Sequence, residues 1–101
     1  MKISVEELKR MYDIIIDKAI NSGFIEIEID TDYYWTVLPN EREGFNSGAP
    51  EPGVGSIIDD IENLRKVLKG ENPPTCVDFD RLANILIAIG ERISRSDKLY
   101  I

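Results

Sequence analysis

The segment FIEIEIDTDYYWTVL, residues 24–38, decides the predicted fold. Residues 24–30 alternate apolar and acidic side chains, and a period of two is typical of a half-buried β-strand. Thr31 and Asp32 predict a tight turn, and residues 33–38 are rich in aromatic and β-branched types that favour a returning strand. We therefore predict a β-hairpin over about residues 24–38, with its isoleucines facing the core and its acids facing solvent.

Two amphipathic helices are predicted on either side of this hairpin. Residues 5–21 carry apolar side chains at three- and four-residue spacing, and Ser4 with Glu7 forms a capping box at their start. Residues 57–69 follow Ser56 in a similar way, with acids in the first turns and bases in the last, an order that suits the helix dipole. Each helix is followed by a glycine, Gly23 and Gly70 respectively, which predicts its C-terminal end.

A third helix is predicted over residues 79–93, with Asp78 as its cap. Its side chains are apolar almost all round, so we expect it to be the centre of the core. The predicted fold class is α+β, with the hairpin packed against three helices in a single domain of residues 1–101. Residues 39–55 are rich in proline and glycine and predict a long surface loop, which is either functional or a tolerated excursion.

Composition excludes several classes of protein. The chain has 101 residues, 43% of them hydrophobic, but no apolar run long enough to span a membrane and no signal-peptide pattern, so we expect a cytoplasmic protein. Cys76 is the only cysteine and histidine is absent, which removes disulfides, zinc motifs and a Cys–His nucleophile. We expect Cys76 to be partly buried, and we predict no cofactor, no metal site and no catalytic residue.

The acidic charge is concentrated in one part of the chain. The net charge is −7, and residues 24–62 alone hold ten acidic residues against one basic residue, Arg42. Such a surface repels nucleic acid and anionic lipid and attracts a basic protein partner. The alternative is that the acidity only keeps the protein soluble.

The strongest candidate site is the acidic and aromatic part of the predicted hairpin. Asp30 and Asp32 either frame a turn by hydrogen-bonding their own backbone or bind a divalent cation with help from Asp59 or Asp60. The three consecutive aromatic residues that follow either pack in the core or, where exposed, act as binding anchors. The residues that we predict to bind a partner are Glu26, Glu28, Asp30, Asp32, Tyr33 and Trp35.

Two motifs carry a resemblance to a family of small acidic bacterial proteins of uncharacterised activity. One is Asp32-Tyr33-Tyr34-Trp35 after an acidic strand, and the other is the helix start from Gly55 to Leu64, GSIIDDIENL. The amphipathic first helix and the helix ending in Ile89-Gly90-Glu91 complete the likeness, which covers most of the chain. The resemblance implies no particular activity. By class analogy alone, the chain is also similar to immunity proteins of bacterial toxin systems.

Three functions are consistent with these observations. The first is a non-catalytic protein-binding module, immunity-like or adaptor, that presents its acidic surface to a basic partner. The second is a homo-oligomeric structural protein, for example a homodimer, that uses an apolar patch or the hairpin edge, and the surplus isoleucines of the third helix motivate it. The third and weakest is a small metal-dependent enzyme, for which 101 residues offer little room to enclose a cleft.

Overall fold

The structure, a computed structural model of the chain, describes residues 1–30, 32–36 and 53–96. Within them the element order is α1, β1, β2, α2 and α3, an α+β class that confirms the predicted class and the three helices. The helices are α1 (Val5–Asn21), α2 (Ile57–Leu68) and α3 (Val77–Ser94). The strands β1 (Tyr33–Thr36) and β2 (Gly53–Ser56) form a two-stranded antiparallel sheet, called the ribbon below.

Helix α1 begins and ends where its local signals predict. The backbone N–H of Glu7 donates to the Ser4 hydroxyl at 3.3 Å, which satisfies one of the free donors of the first turn. At the other end Gly23 adopts a φ of 98°, and the amides of Gly23 and Phe24 donate to the carbonyls of Ile20 and Ala19. This pattern is a Schellman motif, which glycine favours because it has no Cβ.

Helix α2 ends in the same motif, with Gly70 at a φ of 77°. Helix α3 begins at Val77, two residues before the predicted start. The prediction that Asp78 caps this helix is therefore wrong. The Asp78 carboxylate instead accepts the Thr75 N–H at 2.7 Å, which is the backward half of a capping box. Cys76, just before this helix, is exposed rather than partly buried.

The predicted pairing of the hairpin is wrong. Residues 26–30 form no strand, and β1 pairs instead with β2, in the register Tyr33 to Ser56 and Tyr34 to Gly55. Of the three isoleucines predicted to face the core, Ile27 and Ile29 are half-buried but Ile25 is 74% exposed, so only part of the alternation in residues 24–30 reports one-sided burial. One-sided burial does not require a hydrogen-bonded partner strand. Residues 37 and 38 of the predicted second strand lie outside the described residues.

The predicted loop 39–55 is corrected at its end, because Gly53, Val54 and Gly55 belong to β2. Residues 39–52 of that prediction lie outside the described part of the chain. Glycine is unfavourable in most strands, but it is used where another group approaches the backbone closely. The aromatic ring of Tyr34 makes such an approach at Gly55.

The chain divides into two compact units, which are described separately: Met1–Glu28 with Ile89–Ile101, and Ile29–Ala88. In the second unit Ile57 is buried, with 4% of its surface exposed. The prediction that the third helix is the centre of the core is wrong, since no residue of α3 is fully buried and Phe79 is 69% exposed. That the ribbon packs against all three helices within a single domain stays a prediction.

Candidate protein-binding site

The site is built around Asp32, which fixes the beginning of α2. A helix leaves its first backbone N–H groups without partners inside the helix. The Asp32 carbonyl accepts the Ile57 N–H at 2.7 Å, and its carboxylate oxygen Oδ1 accepts the Ile58 N–H at 3.0 Å. Asp32 thereby satisfies the first two free donors of α2 from a position 25 residues earlier in the chain.

Ser56 satisfies the third donor and connects it to Asp32. Its hydroxyl oxygen accepts the Asp59 N–H at 3.2 Å while the hydroxyl donates to Asp32 Oδ1 at 2.8 Å. The pKa of the Asp32 carboxyl is held below its ordinary value of 3.8, chiefly by the Ile58 N–H and then by the Ser56 hydroxyl. The carboxylate is therefore ionised at neutral pH and remains a strong acceptor.

Tyr34 joins the inner face of the ribbon to both helices of the second unit. Its hydroxyl donates to Asp60 Oδ2 of α2 at 2.5 Å, and Asp60 is buried, with 8% of its surface exposed. A further hydrogen bond links the Tyr34 hydroxyl to the Asn84 side chain of α3. The buried Asp60 carboxylate needs the Tyr34 hydroxyl as a donor, because a buried carboxylate without a hydrogen bond destabilises the folded state.

The environment of Tyr34 stabilises its neutral form. Removal from water raises the pKa of Tyr34 from 10.0 to about 12, with further contributions from its hydrogen bond to Asp60 and from the negative charges of Asp60 and Asp80. The hydrogen bond from Asn84 acts in the opposite direction. The phenol is thus a proton donor at any physiological pH and has the role of a structural group.

Gly55 provides the space that the Tyr34 ring occupies. The two residues are direct partners across the ribbon. A Cβ atom at position 55 would overlap Cζ of Tyr34, far inside van der Waals contact. The inner face of the ribbon therefore requires glycine opposite this tyrosine.

The outer face of the ribbon carries exposed apolar and aromatic side chains. Side chains alternate between faces along a strand, so Tyr33 and Val54 lie on the face opposite to Tyr34 and Gly55. Tyr33 is 69% exposed and Val54 is 62% exposed. Ile58, in the first turn of α2, is also exposed. We call Tyr33 and Val54 the outer ribbon face.

Acidic side chains are exposed in the same unit. Asp59 and Glu62 lie exposed in the first half of α2, and Asp30 is exposed just before the ribbon. Hydrophobic and acidic groups of this kind suit a partner that offers both apolar and basic side chains.

The predicted site residues with described side chains lie in two different units. Asp32 and Tyr33 lie together at the ribbon and Asp30 precedes them, all in the second unit, whereas Glu26 and Glu28 are exposed in the first unit. The side chain of Trp35 lies outside the described part of the structure. The carboxylate of Asp32 is engaged in the start of α2, so its predicted contact with a partner competes with a structural role.

The contacts of the Tyr34 hydroxyl with Asp60 and Asn84 were not predicted from the sequence. Asp60 was within a quoted motif, and helical spacing separates it from its exposed neighbour Asp59, because Asp60 lies three residues after Ile57 and four before Leu64 on the apolar side of α2. The two motifs of the family resemblance contact each other: Asp32 bonds Ser56, and Tyr34 bonds Asp60. Asn84 carries no local signal, because its contact depends on tertiary structure.

The described residues contain no group of three or more acidic or cysteine side chains placed to hold a metal ion. Over the same residues, no helix combines the length and the apolar content needed to cross a membrane. Comparisons with protein-family models, with curated proteins and with solved structures find no match.

Proposed function

We propose that the protein is a non-catalytic binding module that recognises a basic protein partner through the outer ribbon face and the acidic residues beside it. The observation that carries this proposal is the exposure of Tyr33 on a ribbon whose other face is fixed to α2. Tyrosine is a frequent binding anchor because it buries a large area while losing few rotatable bonds.

Rigid support of the anchor favours this function. The ribbon is bonded to α2 through both Asp32 and Tyr34, so Tyr33, between them, has a well-defined backbone position. A side chain held in place before binding loses less entropy when the partner arrives. Exposed Asp59 and Glu62 add an electrostatic attraction that increases the association rate and weakens with salt.

The immunity-like or adaptor role is the finer form of this proposal. Such proteins bind one cognate partner, and a basic toxin would match the acidic surface. A gene for a basic secreted toxin immediately upstream would favour the immunity role, whereas a conserved neighbouring enzyme gene would favour an adaptor.

The test uses the intact chain to capture a partner and then measures the affinity of the purified pair as a function of salt. We expect Tyr33→Ser to weaken binding about tenfold or more, as for an interface anchor. The double variant Asp59→Asn, Glu62→Gln should flatten the salt dependence. Glu71→Gln, which removes an exposed acid at the far end of α2, is the matched control and should change neither quantity.

Two results would remove the proposal. Binding that is indifferent to salt would contradict the electrostatic part, and full affinity in Tyr33→Ser would contradict the anchor. Thermal unfolding of each variant, compared with the unmodified chain, separates a lost contact from a lost fold.

A homo-oligomeric structural protein is the second candidate, and exposed apolar residues of α1 favour it. Leu8, Met11 and Ile15 recur at three- and four-residue spacing on one side of the helix, and all are exposed. Analytical ultracentrifugation over a wide concentration range tests this function. A monomer at the highest concentration would exclude it.

A further inference from the structure

A groove lies between the end of α2 and the beginning of α3, away from the ribbon. It encloses about 260 Å³, and both helices and the connection between them contribute to its lining. Val67 and Pro73 supply apolar surface, and Asn63 and Asn72 supply two carboxamides. The volume is slightly below that of typical sites for drug-sized ligands, so it suits a small molecule or a short segment of a larger one.

The charged residues of the groove neutralise each other. Arg81 Nη1 donates to Asp78 Oδ1 at 2.7 Å, and the side chains are 28% and 13% exposed, respectively. The Thr75 N–H and Arg81 together hold the pKa of Asp78 below its ordinary value, so the pair stays ionised at neutral pH. A ligand with a net charge would meet attraction from one member of the pair and repulsion from the other.

The carboxamides are suited to a ligand that both donates and accepts hydrogen bonds. An asparagine side chain has two N–H donors and an acceptor oxygen, so it can donate to the carbonyl of a peptide group and accept from its N–H. Asn63 uses one donor on the Asp59 carbonyl of its own helix at 2.9 Å, which fixes the orientation of its carboxamide. Asn72 is exposed beside Pro73.

We propose that this groove binds a peptide group, presented by an uncharged backbone segment of a polypeptide, through the carboxamides of Asn63 and Asn72. The apolar surface of Val67 and Pro73 covers the carbon atoms next to that group. The groove is separate from the outer ribbon face, so an experiment can disprove one of the two binding proposals and leave the other intact.

The test titrates N-acetylglycine N′-methylamide into the 15N-labelled full chain and follows amide chemical shifts. We expect shifts in the carboxamides of Asn63 and Asn72 and in the backbone amides of Thr75 and Asp78. Sodium acetate and methylguanidinium chloride at the same concentration should move these signals little. Asn72→Ala should weaken binding about three- to tenfold, the usual effect of one lost neutral hydrogen bond.

Asn21→Ala, at the end of α1 and outside the groove, is the matched control and should bind as the unmodified chain does. Absence of shifts at the groove overturns the proposal. Stronger shifts with acetate than with the amide also overturn it, because they indicate an anion site at Arg81. Unchanged affinity in both Asn72→Ala and Asn63→Ala has the same consequence.

Discussion

The hydroxyl of Tyr34 donates to the buried carboxylate of Asp60 across 26 positions of the sequence. This bond connects the ribbon to α2, and it is adjacent to the Asp32 contacts that complete the first turn of that helix. The support of the proposed binding face therefore depends on a small number of polar groups.

Loss of the Tyr34 hydroxyl should destabilise the folded state. Tyr34→Phe keeps the ring over Gly55 but removes the donor, so the Asp60 carboxylate is left buried without its partner. We expect the free energy of unfolding to fall by about 1–3 kcal/mol, measured by urea denaturation. Tyr33→Phe is the matched control, and its exposed hydroxyl should contribute little. Equal effects of the two substitutions would contradict the assigned geometry.

Stability should decline in strongly alkaline solution because of Tyr34. Its pKa is about 12 in the folded chain and 10.0 ordinarily, so the folded state favours the protonated phenol. This contribution is complete below pH 10 and is lost as the pH rises toward about 12. Lysines also titrate in this range, so the informative quantity is the difference between the unmodified chain and Tyr34→Phe. That difference should decrease from pH 9 to about 12, and a constant difference would contradict the prediction.

The substitution Gly55→Ala should displace the Tyr34 ring. The added methyl group overlaps the ring, and relief of the overlap must weaken the bond to Asp60. We expect a loss of about 1–3 kcal/mol in thermal or urea unfolding. Gly90→Ala in α3 is the control, since a Cβ there meets no atom within 4 Å. That substitution should stabilise the protein by up to about 1 kcal/mol, because alanine is the better helix former.

Asp32 should give the protein sensitivity to acid. Its folded-state pKa lies below 3.8, so its contribution is present above that pH and is lost as the pH falls further. Asp32→Asn keeps an acceptor oxygen without the charge, and Asp32→Ala removes both. At pH 7 we expect the unfolding temperature to decrease in the order unmodified chain, Asp32→Asn, Asp32→Ala. The gap between the first two should close as the pH is lowered below 3.8, and a gap that widened would refute the role of the ionised group.

The helices could be predicted because their signals are local. Ser4, Ser56, Gly23 and Gly70 each lie within a few residues of the helix end that they define, and each end is found within one residue of its predicted position. The start of α3 was displaced because Asp78 bonds backward to Thr75, an alternative that the same residue type allows.

The ribbon could not be predicted in full because its partner strand does not resemble one. Gly53-Val54-Gly55-Ser56 has the composition of a loop, and the approach of the Tyr34 ring explains Gly55. The facing of three consecutive aromatic residues is likewise undetermined by a period of two. It was therefore not possible to separate Tyr33, which is exposed, from Tyr34, which is not.

The capping of α2 by Asp32 has a consequence for folding. A peptide containing only residues 53–72 keeps the Ser56 cap but lacks the two Asp32 acceptors for its first turn, so its N-terminal end should fray more than it does in the full chain. Closure of a long stretch of chain must then precede full formation of α2, and contacts distant in sequence form slowly. The first turn of α2 is therefore complete only after Asp32 has come into contact with it.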